Sequence, residues 1–111
     1  MYVVIFEVIP WPQYQNDYLT LAAALRTEVS QIEGFISVER FKSIANEDKL
    51  VSLSFWRDEQ AILNWKKHHD HQLAQQKGIQ QYFKDFRIRV GKIERDYSLC
   101  DRQPGTLENN S

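Results

Sequence analysis

Three histidines, His68, His69 and His71, fall within four residues and are the only ones in the chain. A neutral imidazole accepts or donates a proton near pH 7, so a histidine held beside a weakly acidic hydroxyl can act as a general base. A metal is the competing chemistry. On a helix His68 and His71 share a face, but zinc needs a third or fourth ligand. Asp70 points elsewhere on a helix, no further histidine exists, and Cys100 is the only cysteine. No metal site is therefore expected, and the histidines read as a polar helix face.

Trp65 follows Ile62 by three positions and precedes His69 by four and Leu73 by eight. That spacing is a core stripe, although an indole at a pocket wall also stacks on a flat aromatic ligand. Trp56 has the same two readings, with packing preferred for both. Arg87 and Arg89 alternate with Phe86, Ile88 and Val90 and so share one strand face. A guanidinium there can hold a carboxylate or phenolate in a forked hydrogen bond. It can equally pair with Glu7 or Glu39, and the ion pair is the expectation.

These residues need elements to position them. Tyr2 to Ile9 is rich in β-branched and aromatic residues, the composition of a strand. It is apolar on both faces, as a central strand covered on both sides is. Pro10 and Pro12 stop it. Asn16 or Asp17 is expected to cap a helix carrying Leu21, Ala24, Leu25, Val29 (or Glu28) and Ile32, closed by Gly34. Phe35–Phe41 and Leu50–Trp56 read as strands separated by the turn Asn46-Glu47-Asp48. Asp58 is an N-cap for a helix over about 59–76, with Gly78 as its stop. Residues 83–99 hold a long last strand with a bulge at Gly91.

Length and composition narrow the classes. The chain has 111 residues, one domain's worth, expected to span 1–100 with a polar, mobile tail over 101–111. A net charge of −1 with scattered basic residues gives no reason to expect nucleic acid. The apolar opening segment is too short to cross a bilayer and lacks a basic leader, so no membrane partner or signal peptide is expected. One cysteine excludes an internal disulfide and fits a cytoplasmic location.

The predicted order β-α-β-β-α-β is that of an α+β, ferredoxin-like fold with a four-stranded antiparallel sheet. Its helices cover one sheet face. The other face, carrying large apolar side chains, makes too large an exposed patch for a monomer. Two copies packed face to face about a two-fold axis would each bury roughly 800 Å². A homodimer is expected.

The stretch from Gly34 to Tyr97 resembles the antibiotic biosynthesis monooxygenase (ABM) family. The match rests on Glu33-Gly34-Phe35, Arg40-Phe41 and Leu53-Ser54-Phe55-Trp56. It continues through Ala61-Ile62, Trp65, His68, His71, Gln75, Gly78 and Tyr82 to the strand from Phe86 to Val90. The resemblance implies a dimeric α/β barrel with a pocket in each subunit between sheet and helices. Its characterised members include cofactor-independent monooxygenases of aromatic polyketides, quinol monooxygenases and haem-degrading enzymes.

By that resemblance His71 is the candidate base. Trp65 and Trp56 are candidate walls, and His68, Gln75, Tyr82 and Arg87 line or orient the substrate. Haem cleavage is not expected. Those relatives use an asparagine on the first strand and a histidine late on the second helix, where this chain has Glu7 and about Gln75, and glutamine is a poor iron ligand. The expected activity is cofactor-free oxygenation of a flat phenolic or quinol-like molecule. The alternative is a non-enzymatic dimer that binds a small ligand or serves in stress, because no complete nucleophile, base and orienter set is present.

Overall fold

The structure, a computed structural model, describes residues 1–75 and 79–101, with side chains for 1–69 and 81–101. Its elements are β1 (Tyr2–Pro10), α1 (Gln15–Val29), β2 (Phe35–Lys42), β3 (Leu50–Trp56), α2 (Glu59–Gln75) and β4 (Phe83–Lys92). Short 3-10 turns at Pro12–Tyr14, Ile79–Tyr82 and Leu99–Asp101 fill the junctions. The four strands form one antiparallel sheet in the order β2-β3-β1-β4. This is the ferredoxin-like α+β fold that the sequence predicts.

β1 pairs with β3 on one edge and β4 on the other. Val4 lies between Ser54 and Val90, Phe6 between Ser52 and Ile88, and Val8 between Leu50 and Phe86. Alternation along the strand puts Tyr2, Val4, Phe6 and Val8 on the helix side. There they enter two apolar clusters. One holds Val8, Tyr18, Ala22 and Leu50 with Phe6, Tyr82 and Phe83 against it. The other holds Val29, Trp56 and Ala61, flanked by Tyr2, Val4, Phe35, Ile62 and Trp65. Val3, Ile5 and Ile9 point to the opposite face, joined by Val51, Leu53 and Phe55 from β3 and Phe41 from β2 through the register.

On β3 it is the serines that face inward. Trp56 is 1% exposed, and a buried indole N–H needs an acceptor. Ser54 Oγ, two residues back on the same face, accepts it at 2.8 Å.

Several boundaries differ from expectation. α1 starts at Gln15 without a side-chain cap, because the 3-10 turn led by Pro12 runs directly into it. Asn16 and Asp17 therefore lie inside the first turn. The buried stripe is Tyr18, Ala22 and Val29, with Ala24 exposed; Tyr18 takes an inward position through its ring. The helix ends at Val29, and Gly34 serves the later turn into β2. The β1/β4 register slips between Ile9 and Pro10 rather than at Gly91, since proline cannot donate to the ladder. β4 stops at Lys92, and just beyond it the Ile93 N–H bonds the carbonyl of Met1. The expected stop at Gly78 and the tail beyond Asp101 fall outside the described residues.

Asp58 caps α2 as expected. Its Oδ1 accepts the Ala61 N–H at 2.9 Å, and that bond, followed by the one from Arg57, holds its carboxyl below the ordinary value. Gly34 sits at φ 91°, and a Cβ there would lie 2.7 Å from Ala61 Cβ. The first turn of α2 thus docks onto bare backbone. Replacing Gly34 with alanine adds both a left-handed penalty and a clash, so an expected loss of about 1–3 kcal/mol follows. Urea unfolding of Gly34→Ala checks it; an unchanged midpoint contradicts the close approach.

Candidate functional site

α2 carries the candidate residues because Asp58 starts it and the Ala61, Ile62, Trp65 stripe fastens it to the core. Trp65 is half-buried, and the rings of His68 and His69 lie against it at 5.5 and 5.6 Å. His68 Nε2 approaches Glu28 Oε2 of α1 at 3.4 Å. This carboxylate partner is absent from the sequence-derived set. Its trace in the sequence is that Glu28 is an alternative to Val29 in the inward stripe of α1. Along the helix backbone His71 and Gln75 lie one and two turns beyond His68; their side chains fall outside the described residues.

The connections explain where a cavity can form. α2 joins β3 to β4, which run parallel on either side of β1, so a right-handed crossover carries it above β1 toward β4. The register gives Phe86, Ile88 and Val90 the same side as Val8, Phe6 and Val4. Yet these three are 56%, 55% and 52% exposed. The helix side of β4 is therefore an uncovered apolar shelf. Its inner end is aromatic: Phe6, Phe83 and Phe86 lie within 6.3 Å of one another, centroid to centroid. Tyr18 meets Phe83 edge-on at 5.5 Å. Tyr82 stacks obliquely on Tyr14 at 5.2 Å beside this end.

Two predicted residues stand apart from that shelf. Trp56 is sealed in the core and offers no open ring face. Arg87 pairs in register with Glu7 and projects from the opposite side of the sheet. There a shallow depression of about 320 Å³ is lined by Glu7, Ile9, Lys49, Asp85, Phe86, Arg87 and Arg89. Its centre is an ion pair of the kind anticipated: Arg89 Nη1 donates to Glu7 Oε2 at 2.9 Å, and Lys49 Nζ lies 3.8 Å from Oε1. Charge compensation within the sheet face accounts for these groups without a ligand. Among the described residues no three His, Cys, Asp or Glu side chains converge as a metal site would require, and no helix is long and apolar enough to cross a membrane.

A four-stranded antiparallel sheet in the order β2-β3-β1-β4 with two helices defines the ferredoxin-like class of α+β fold. The sequence model of the antibiotic biosynthesis monooxygenase family matches residues 1–77, and the chain belongs to that family. A jasmonate monooxygenase ABM of Pyricularia oryzae is 42% identical over 93 residues, covering 84% of this chain and 43% of that protein. The chain thus spans less than half the length of this relative. YqjZ of Bacillus subtilis is 28% identical over 96 residues, 85% of this chain and 80% of YqjZ. Among solved structures, Rv0793 from Mycobacterium tuberculosis aligns with a TM-score of 0.75 at 19% identity, covering 87% of this chain and 98% of that one. At that identity it speaks for the fold alone.

The Glu7 pair has a pH signature. The Arg89 hydrogen bond, aided by Lys49, holds the Glu7 carboxyl below its ordinary value of 4.5. A carboxyl lowered in the folded state contributes stability that is complete above the unfolded-chain value. That contribution is lost as pH falls through the folded value. Because the pair is partly solvated the effect is small. Thermal melts between pH 6 and 3 should therefore fall less steeply for Arg89→Ala than for the parent chain; parallel curves would refute the assignment.

Proposed function

We propose that the chain is a monooxygenase of the ABM type that acts on a small, flat, largely apolar molecule with an ionisable hydroxyl, a phenol or quinol in the first instance. The observation that carries this reading is the uncovered shelf of Phe86, Ile88 and Val90 with its aromatic end. A water-exposed apolar surface beneath a helix gains free energy when an apolar ligand covers it. Trp65 stands as a wall, Tyr82 and Gln75 as orienting donors, and a histidine of the 68/71 pair as the base; the family resemblance singles out His71. Trp56 and Arg87 take no part in this pocket.

The chemistry asks little of the protein. Removing the substrate's proton leaves an electron-rich anion, and that anion reduces dioxygen without a resident cofactor once water is excluded. The name of the Pyricularia oryzae relative extends the panel to jasmonate, a cyclopentanone acid. There an enolisable C–H takes the place of the phenolic O–H.

Oxygen uptake with hydroquinones, anthrones and jasmonate tests the reading. Turnover by the parent chain and a loss of roughly 100-fold or more in the His68→Ala/His71→Ala double variant are expected, the usual contribution of a positioned base. A double variant as fast as the parent would exclude the histidine base, and silence across the panel would remove the proposed substrate class. The single His71→Ala variant then apportions the effect.

The same reading includes a homodimer formed through the face of Val3, Ile5, Leu53 and Phe55. Its support is the apolar character of a face that no helix covers. Sedimentation at micromolar concentration should give twice the chain mass, and Leu53→Glu should halve it. A parent chain that sediments as a monomer would exclude the pairing.

A further inference from the structure

Glu28 and His68 meet between the two helices under unusual conditions. Oε2 and Nε2 are 3.4 Å apart, while each side chain as a whole is 38% exposed. The two facing atoms are shut off from water, and neither has a well-aligned hydrogen bond to any described residue. Each is therefore the other's nearest compensation: a desolvated carboxylate oxygen seeks a donor, and a desolvated ring nitrogen seeks an acceptor. The opposite nitrogen, Nδ1, is not among the buried atoms without a partner. The Trp65 ring backs the imidazole at 5.5 Å with a 31° tilt, which restricts its rotation.

We infer that Glu28 and His68 form a carboxylate–imidazole couple whose Nδ1 is the proton acceptor of the proposed reaction. The inference rests on the monooxygenase reading for its substrate, but not for its geometry. With the Nε2–H directed at the carboxylate, the lone pair sits on Nδ1, and a carboxylate so placed makes that nitrogen more electron-rich. In the step itself the substrate O–H bond breaks and its proton passes to Nδ1. The bonding pair stays on the substrate oxygen as a phenolate, and the new positive charge on the ring is balanced by Glu28. No electron changes hands until the anion meets dioxygen. In this arrangement Glu28 is a positioning residue and His68 the catalytic one.

A simple clip between two helices needs the contact but not the charge, so the isosteric variant Glu28→Gln separates the two roles. Diethylpyrocarbonate labelling of the full chain, followed by mass spectrometry of the peptide, reports how nucleophilic the ring is without any substrate. His68 is expected to label several-fold faster in the parent than in Glu28→Gln, with His69 as the internal reference. Glu28→Asp, which keeps the charge, should recover part of the difference, and this holds the comparison open if the glutamine variant folds poorly. Equal labelling in the parent and Glu28→Gln, or no recovery in Glu28→Asp, would overturn the couple. Oxygen uptake supplies the second arm. His68→Ala should fall about 100-fold in kcat with KM little changed, and a rate equal to the parent would also overturn it. A parent chain inactive on every substrate removes the monooxygenase reading alone, and the labelling comparison still decides the couple.

Discussion

Both edges of β1 are hydrogen-bonded, to β3 along one side and to β4 along the other, and both of its surfaces are apolar. Every other element is placed relative to that strand. The ladder fixes which residues of β3 and β4 share the helix side, and a slip of one residue would exchange core and surface along each partner. α1 and α2 then dock wherever Tyr2, Val4, Phe6 and Val8 offer apolar contact. The interior divides into two clusters, and α1 contributes to both: its Tyr18 and Ala22 meet Val8 and Leu50, whereas Val29 near its end joins Ala61 of α2 against Trp56.

Much of this was legible in the residues. The alternation of Phe86, Ile88 and Val90 with Arg87 and Arg89 gave the correct faces for β4, and Asp58 marked the start of α2. What escaped the sequence depended on contacts between distant segments. β4 ends at Lys92 rather than at Leu99, which no local pattern in residues 93–99 announces. The inward serines of β3 become intelligible only once Trp56 is known to be buried and in need of an acceptor. The stripe of α1 admits Glu28 as an alternative to Val29, but its contact with His68 emerges only once a second helix is laid beside it.

The distribution of cover over the sheet separates fold from site. Small α+β sheets of this kind serve many chemistries, because function resides in particular side chains rather than in the fold. Here the two sides of the sheet are unlike. One ends in a charged depression in which Glu7 already satisfies Arg89 and stands near Lys49. The other presents an aromatic and aliphatic floor with no polar group of its own on Phe86, Ile88 or Val90. Polar chemistry on that side must come from above, from α2 and the part of α1 it touches.

The three tryptophans occupy three different dielectric layers. Trp56 is sealed, Trp65 is wedged beside two imidazoles, and Trp11 is 40% exposed with the Lys84 ammonium 5.7 Å from its ring centre. Ultraviolet emission from the chain should thus combine a short-wavelength component from Trp56, a red-shifted one from Trp11 and an intermediate one from Trp65. The protein carries its own optical gauge of whether the second helix is seated, at the very place where its histidines gather.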